Sequence, residues 1–441
     1  MSGLRGVGLA IAVLILVGAG EPAPLFESAR PGDSARVTVE LKAEGTFRPA
    51  TPPGAPEAKP MALKVATRLE FNDRVVAVGA GSVPIRSVRN VTRAAATING
   101  EVRATSSELR PDVSALVATR RGDVAVDVVS LGGPLTRSEL ELVGGPGDPL
   151  ALPALLPGKP VKLGDHWTVG DLAARNLSGY DAIAANALEA TLEAVDSHVA
   201  RVRLLGSIRG AALGGEGSMA CDGSFLFDQK TSQVRQLDLR RAETRRPGPV
   251  ESGLDVKSVL TVSRSSTPGS ADSGLSDSLA SVARSDSAPG RDLLLFRSPD
   301  GKYELLHDRD WHLYWDDNRQ VVFKRLDRGE MIAQCNLAVG PNAGKGRHQD
   351  LTQFRDDLKK ALGNRFVRVV GQGEVEGAAA GGFRYKVTVE GRQGDSGVLW
   401  HYYLIASPEG NQLIATFTLR LAQQTQFADS DLRMIGSLEW K

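Results

Sequence analysis

Apolar and polar residues alternate one by one along several segments of this chain, and this pattern constrains the fold more than any other feature of the sequence. In residues 35–41 the apolar positions are Val37, Val39 and Leu41, and residues 63–71 repeat the pattern. Successive side chains of a β-strand point to opposite faces, so each segment predicts a strand with one face on a core. The stretch between the two segments is rich in proline, which excludes a central strand and predicts a long hairpin loop.

Further segments before residue 264 have the composition of strands and are separated by Gly, Asp or Ser. They are residues 124–129, 190–195, 199–208, 225–227, 234–239 and 256–262. The chain contains 48 Gly and 23 Pro, which suits strands joined by tight turns. Helical signal is weak here, and only the region that follows the proline-punctuated stretch 150–156 and extends to residue 187 favours a short helix. Residues 21–263 are therefore predicted to form a mainly antiparallel β domain, either an open barrel or a curved sheet.

Residues 264–290 differ in composition from the rest of the chain. Nine serines are mixed there with glycine, proline and aspartate, which leaves few apolar side chains to bury. We interpret this segment as a flexible linker. Because 441 residues exceed the usual size of one core, we predict a signal peptide (1–20), a β-rich domain (21–263), the linker (264–290) and a second domain (291–441).

Strands and helices alternate in the second domain. Strands are predicted at residues 303–307, 313–315, 321–326, 331–339, 383–389, 398–404 and 413–419. Two helices accompany them, and the sequence thus predicts an α+β fold whose C-terminal part is an antiparallel sheet flanked by helices.

The two predicted helices have clear start signals. Asp350 is placed to cap the first, whose apolar residues Leu351, Phe354, Leu358 and Leu362 recur at steps of three and four before Gly363. The second begins at the capping residue Asp429, and its apolar positions Leu432, Ile435 and Leu438 are predicted to be buried.

This order of elements in residues 296–441 resembles the PsbP-like α/β/α sandwich, which photosystem extrinsic subunits share with small bacterial periplasmic proteins of the DcrB type. The similarity rests on an opening strand and tryptophan turn at 303–311, the helix at 351–362, three long strands, and a closing helix that ends in residues 436–438. The resemblance implies binding or docking, and it brings no catalytic motif.

The sequence departs from the PsbP-like pattern at one turn. Asp308, Arg309 and Asp310 stand where a proline commonly precedes the tryptophan. The N-terminal part is loosely similar to the open β-barrels of periplasmic lipoprotein carriers, through long hairpins such as residues 225–239. This second similarity concerns the fold class alone and implies a β domain that holds a ligand.

The first twenty residues have the composition of a cleavable signal peptide. Arg5 precedes an apolar run from Val7 to Val17, and small residues follow before Glu21. The run is shorter than the roughly 20 residues that span a bilayer as a helix, so we expect no integral membrane span after cleavage. We predict an exported bacterial protein, either periplasmic or extracellular.

Only two cysteines occur, Cys221 and Cys335, and they lie on opposite sides of the predicted linker. In an oxidising compartment they are compatible with a disulfide between the domains. They are also compatible with two small buried side chains in separate strands, which is the interpretation we favour.

The charge and motif content argues against several classes of function. Lys and Arg total 53 and Asp and Glu 52, so the formal net charge is +1, which argues against nucleic-acid binding. No serine lies in a Gly-x-Ser-x-Gly elbow. His307, Asp310 and His312 are the best candidate metal ligands, with Asp316 and Asp317 close behind. A turn separates the two histidines, so we favour a polar turn and assign no catalytic, cofactor-binding or metal-binding residue.

Aromatic residues are concentrated in two places in the C-terminal region. They are Trp311, Tyr314, Trp315, Trp400, Tyr402 and Tyr403. Such a concentration is typical of a binding surface or of a packed core. Alternation along a strand places Trp400 and Tyr402 on one face and Tyr403 on the other, so at least one set should face the core. We favour packing.

Three functions are compatible with these observations. The first, which the absence of a catalytic motif favours, is a non-catalytic binding or protein-interaction module of the bacterial cell envelope, whose partner is an unknown protein or an apolar ligand. The second is a carrier of lipid or another apolar molecule in the N-terminal β domain, which predicts a hollow, apolar interior. The third is a metal-dependent envelope hydrolase that uses the group around His307. No cofactor is expected.

Overall fold

The computed structural model describes residues 22–49, 58–100, 104–267, 274–284, 290–376 and 382–441. The predicted signal peptide lies outside these ranges, as does most of the predicted proline-rich loop, residues 49–60. None of the helices within the described ranges combines the length and the apolar composition that crossing a bilayer requires.

Most of the described residues belong to β-strands in antiparallel sheets. The strands before residue 270 are β1 Ala23–Pro24, β2 Ser34–Arg48, β3 Met61–Val78, β4 Pro84–Gly100, β5 Ala104–Glu108, β6 Ala115–Arg121, β7 Ala125–Ser130, β8 Pro160–Val161, β9 His166–Thr168, β10 Ala182–Asn186, β11 Glu189–Asp196, β12 Val199–Ala212, β13 Gly215–Asp228, β14 Gln233–Arg245 and β15 Gly253–Ser266. Those after it are β16 Leu294–Arg297, β17 Tyr303–His307, β18 Trp311–Asp316, β19 Gln320–Asp327, β20 Glu330–Gly340, β21 Phe366–Glu374, β22 Phe383–Gln393, β23 Ser396–Ala406, β24 Gln412–Arg420 and β25 Glu439–Trp440.

Six α-helices connect or cover these strands. They are α1 Arg137–Val143, α2 Asp171–Ser178, α3 Asp277–Arg284, α4 Leu351–Leu362, α5 Gln424–Phe427 and α6 Ser430–Gly436. A short 3₁₀-helix, Pro149–Leu155, lies between α1 and α2.

The N-terminal part is organised by a single open sheet of 13 strands. Its order is β7-β6-β4-β3-β2-β15-β14-β13-β12-β11-β9, while β5 pairs with β4 and β10 pairs with β12. The alternation of the sequence is seen directly in β2, where Val37 and Val39 are buried and Arg36 is exposed. The prediction of a mainly antiparallel β region is confirmed, and its curved form is an open sheet with β7 and β9 at the edges of this order.

One face of this sheet, which we call the inner face, is covered by α1, α2 and the 3₁₀-helix. Leu152 and Leu155 of the 3₁₀-helix are fully buried in the same apolar cluster as Phe225 and Phe227 of the sheet. Buried Arg89 of β4 donates two hydrogen bonds to the Asp148 carboxylate, at 2.7 and 2.8 Å. This ion pair holds the start of the 3₁₀-helix against the inner face.

The described part of the predicted linker is more ordered than its composition suggests. Strand β15 continues to Ser266, and α3 occupies residues 277–284 within the segment interpreted as flexible. Leu275, Ala280 and Ala283 are buried against valines of β3, β4 and β6. Ala280 and Ala283 lie on one face of α3 and Leu275 precedes the helix, so part of this serine-rich segment packs on the sheet although Val282 is exposed.

The C-terminal part contains a sheet of seven strands in the order β18-β19-β20-β24-β23-β22-β21 and a smaller one in the order β16-β17-β25. Phe354, Leu358 and Leu362 of α4 pack on one face of the larger sheet with Trp400 and its neighbours. Phe427 of α5 and Met434 and Ile435 of α6 pack on the other face with Tyr403 and Phe417.

The predicted helix at 351–362 has the expected ends. Asp350 accepts a hydrogen bond from the Gln353 amide at 2.9 Å, and Gly363 follows with a φ of 54°. The predicted closing helix also forms, but one of its residues was assigned to the wrong face. Leu432 is more than one third exposed, whereas Met434 and Ile435 are buried.

The two parts of the chain contact each other through backbone carbonyls. Arg309 donates to the Val128 carbonyl of β7 at 2.7 Å, and Arg137 of α1 donates to the Trp311 carbonyl at 2.8 Å. Lys324 of β19 donates to the Pro249 carbonyl in the loop between β14 and β15 at 2.7 Å. Leu294, at the start of the C-terminal part, lies within the N-terminal core.

Candidate functional site

The face of the 13-stranded sheet opposite α1, α2 and the 3₁₀-helix, which we call the outer face, bends into a trough of about 880 Å³. Strands β2, β3 and β4 form one side of it, and β12 to β15 form the other. By comparison, the cavities on the inner face measure about 260 and 120 Å³. The trough is thus larger than both of these inner cavities.

The floor of the trough is apolar and is made largely of small side chains. Ala66, Ala220 and Ala242 are exposed there, together with Val259 and Leu205, which are 46% and 56% exposed. Large aliphatic side chains on a concave surface are favourable contacts for a ligand, because covering them removes apolar area from water.

Basic side chains surround this floor. Lys42, Lys64, Arg240 and Lys257 contribute to the lining, and the acidic residues of the lining are Glu44 and Asp222. Asp222 is paired with Arg203 at 2.6 Å. Within the described part of the chain, none of the four basic residues forms an ion pair with a carboxylate.

The strand register places three of these cations around one valine. Val259 of β15 lies opposite Arg240 of β14 on one side and opposite Lys42 of β2 on the other. Lys257 precedes Val259 by two residues and therefore points to the same face. We refer to Lys42, Arg240 and Lys257 as the basic triangle.

A buried polar layer supports the floor from the inner side. Arg241 donates to the Ser258 hydroxyl at 3.0 Å and to the Leu177 carbonyl of α2 at 2.6 Å. Burial lowers the pKa of Arg241 and raises the pKa of the neighbouring Cys221 thiol to about 11. Cys221 is therefore a neutral thiol at physiological pH, and the layer ties the trough to α2.

Gly206 is a close-approach position at the β12 end of the trough. Its φ is +146°, and a Cβ atom added to it would lie 2.0 Å from the Ala187 carbonyl oxygen. Only glycine allows the segment before β11 to approach β12 this closely. Any other residue at position 206 would therefore force this end of the trough to change shape.

The interior of the N-terminal part is filled. Three short helices cover the inner face, and the smaller inner cavity, which lies beside α1, is lined by Leu41, Phe71, Glu141 and Pro149 among others. Burial raises the pKa of Glu141 there. Apart from the two inner cavities of about 260 and 120 Å³, packed side chains cover this face, and the trough lies on the opposite face.

The sequence did not identify the trough residues, although a signal for them exists. Leu204 and Leu205 are adjacent, as are Val259 and Leu260, so both faces of β12 and β15 carry an apolar residue at these points. In each pair one member is buried and the other exposed. Exposed apolar residues of this kind form such a surface when several of them lie on one face of a sheet.

The candidate metal ligands are not brought together. Within the described ranges, no group of three or more His, Cys, Asp or Glu side chains could hold a metal ion. His307 is buried, its Nδ1 lies 2.9 Å from the Asp308 carbonyl oxygen, and burial lowers its pKa to about 4. Burial also lowers the pKa of His312 to about 4. Both imidazoles are therefore neutral at physiological pH.

The nearby carboxylates have structural partners. Asp310 accepts a hydrogen bond from Arg325 at 2.7 Å. Asp317 accepts hydrogen bonds from the Arg319 and Gln320 amides at 2.8 and 2.7 Å and so closes the turn between β18 and β19. These contacts place the two carboxylates in the turns that precede and follow β18.

A second polar cluster, which the sequence did not predict, lies in the C-terminal part. Lys386 Nζ, His401 Nδ1 and Tyr403 Oη each lie 2.6 Å from Oδ2 of buried Asp431. Burial raises the pKa of Asp431, but the contacts with His401 and Lys386 outweigh it and leave the pKa well below its ordinary value. The cluster fastens α6 to β22 and β23.

The aromatic residues separate into two groups. Trp311, Trp400, Tyr402 and Tyr403 are buried, and the last three occupy both faces of β23 because this strand is covered on both sides. Tyr314 and Trp315 on the edge strand β18 are exposed. Cys335 is buried and free in this sheet, as Cys221 is in the other, so the two thiols form no disulfide.

Comparisons with known proteins found only weak structural similarities. No family model matches the sequence, and no curated protein matches it. The solution structure of a cyanobacterial PsbP protein, CyanoP from Synechocystis sp. PCC 6803, is 15% identical over 36% of this chain and 98% of that chain, with a TM-score of 0.27.

A crystal structure from Bacteroides thetaiotaomicron VPI-5482 is 13% identical over 33% of this chain, with a TM-score of 0.25. This chain covers 48% of that protein, about half its length. TM-scores of 0.25 and 0.27 are too low to assign a fold or a function, so the site described above is interpreted from its geometry alone.

Proposed function

We propose that this protein is a non-catalytic binding protein of the bacterial cell envelope and that the trough is its ligand site. The observation that supports this proposal is the exposed concavity of about 880 Å³, which combines an apolar floor with basic side chains. Pockets of this size that join apolar lining to a few placed polar groups are typical of small-molecule sites.

The remaining parts of the proposal rest on the sequence and on the layers of the C-terminal part. Export follows from the composition of residues 1–20. The seven-stranded sheet carries helices on both faces, which supports the PsbP-like resemblance and a docking role for the C-terminal part. The exposed Tyr314 and Trp315 on its edge strand provide aromatic surface for such docking.

The ligand site can be tested with a neutral apolar probe. N-phenyl-1-naphthylamine fluoresces when it leaves water, so a titration of the full chain reports its affinity for the trough. We expect Val259→Asp to weaken binding by about tenfold or more, because an apolar ligand cannot compensate a carboxylate placed beneath it.

Val195→Asp is the matched control for this experiment. Val195 lies in the same sheet and is 44% exposed, close to the 46% of Val259, but it is not part of the trough. It should leave the affinity unchanged. Equal affinities for the wild-type chain and the Val259→Asp variant would contradict the proposal.

A further inference from the structure

We infer that the ligand of the trough is an amphiphile with an anionic head group, which the basic triangle binds while the alkyl chain covers the apolar floor. This inference rests on the proposed function, since it names the ligand class of the same site. Three observations support it: the strand register, the excess of basic over acidic residues in the lining, and the apolar path that runs across the floor of the trough.

The register brings the cations of the triangle within reach of one head group. Directly opposed residues on neighbouring antiparallel strands have Cβ atoms about 5 Å apart, and diagonal neighbours about 7–8 Å. Lys42 and Arg240 are each directly opposite Val259, and Lys257 is diagonal to both. Long basic side chains at these separations converge easily on a carboxylate or phosphate.

The charge of the site favours an anion. Four exposed basic residues line the trough in addition to buried Arg241, and of its two acidic residues Asp222 is already neutralised by Arg203. The other, Glu44, lies opposite both Lys64 and Lys257. Its carboxylate repels an anion from the β2 side, so the head group is expected nearest Arg240 and Lys257, with Lys42 at the third corner of the triangle.

The floor defines where the apolar part of the ligand lies. From Val259 on β15 it continues across Ala242 and Ala220 to Leu205 on β12. Three strand spacings cover roughly 14 Å, which accommodates an alkyl chain of medium length. The small alanine side chains leave room for that chain, and Leu205 packs against its end.

The same lining argues against other anions as occupants. Single-stranded nucleic acids bind on aromatic side chains that stack with bases, and the trough lining contains none. A small inorganic anion would make no use of Val259 and Leu205. An acidic protein segment is the remaining competitor, and the experiment includes it as an outcome.

The test compares ligands that share a dodecyl chain. Laurate and dodecyl phosphate carry anionic heads, dodecyl maltoside is neutral, and inorganic phosphate lacks the chain. Titration calorimetry on the full chain, below the micelle concentration of each compound, should give binding of both anionic amphiphiles, weaker binding of the maltoside and no binding of inorganic phosphate.

Three variants locate the head group. Neutralising two corners of the triangle in Arg240→Gln/Lys257→Gln should weaken laurate binding by about tenfold, as expected for two partly exposed charge contacts. Glu44→Gln should strengthen laurate binding. Arg201→Gln removes an exposed basic residue of β12 outside the trough and should have no effect.

The outcomes separate this inference from the proposed function. Equal affinity for laurate and dodecyl maltoside, or no effect of the double variant, overturns the anionic head group while probe binding still supports a ligand site. Tighter binding of a poly-glutamate peptide than of laurate overturns the amphiphile in favour of an acidic protein segment. Failure of every alkyl compound together with the neutral probe overturns the proposed function itself.

Discussion

Buried Asp431 is the residue on which the C-terminal part depends most directly. Its Oδ2 accepts hydrogen bonds from Lys386, His401 and Tyr403, and its side chain is almost completely buried. We expect Asp431→Asn to lower the free energy of unfolding by about 3 kcal/mol, because removing the carboxylate leaves Lys386 without its counter-charge in a buried site. Urea denaturation measures this change.

The pH dependence of the same variant provides a second readout. The pKa of Asp431 in the folded protein is below its ordinary value of 3.8, so the carboxylate stabilises the fold fully above that pH and loses this contribution as the pH falls below it. The stability difference between wild type and Asp431→Asn should therefore shrink at acidic pH. Asp429→Asn, at an exposed position whose side chain makes no capping hydrogen bond, is the control.

Contacts between residues close in sequence could be predicted, whereas contacts between distant residues could not. The polar turn around Asp317 was predicted because its residues are local in the chain. The Asp431 cluster was not, because its members are 28 to 45 residues apart and meet only when α6 packs on β22 and β23. The basic triangle was missed for the same reason, since three separate strands contribute to it.

At the scale of elements, period-2 alternation predicted parts of most long strands, but it predicted no strand at β4, which is one of the longest and whose sequence does not alternate. Strand β21 was missed because Gly371 and Gly373 lie within it and interrupt its apolar pattern. Helix α1 was missed although its start carries a capping box, in which the Glu139 amide donates to Thr136 Oγ1 and the Thr136 amide donates to the Glu139 carboxylate. Short elements of this kind are stabilised by packing that the local sequence does not record.

Helix α3 shows how packing orders a segment of polar composition. Arg74 of β3 donates to the Leu275 carbonyl at 3.2 Å and to the Asp277 carboxylate at 2.7 Å. We expect Leu275→Asp to release the helix, because it places a carboxylate among buried valines. Limited proteolysis should then cut within residues 274–284.

The control for this prediction is Ser281→Asp, which adds the same charge at an exposed position of α3. It should leave the segment as resistant to protease as in the wild type. If Leu275→Asp is equally resistant, the packing of α3 on the sheet does not hold the segment in place.

At the scale of the whole molecule, arginine side chains that reach across to backbone carbonyls join the two parts. Arg309 donates to the Val128 carbonyl, and Arg137 donates to the Trp311 carbonyl. We expect Arg137→Ala/Arg309→Ala to uncouple the two cores, so that calorimetric unfolding shows two transitions further apart than in the wild type. Arg319→Ala, at an exposed turn, should leave the profile unchanged. An unaltered profile in the double variant would contradict this view of the contact.

The contact at Val128 has a consequence for self-association. Strand β7 is an edge of the 13-stranded sheet, and an uncovered edge offers carbonyl and amide groups to any other strand. Arg309 occupies one of these carbonyls, and Leu295 donates to the Leu135 carbonyl just beyond the strand. The C-terminal part thus covers one carbonyl of this edge, and we expect an N-terminal part produced without it to expose that carbonyl to pairing with a strand of another molecule.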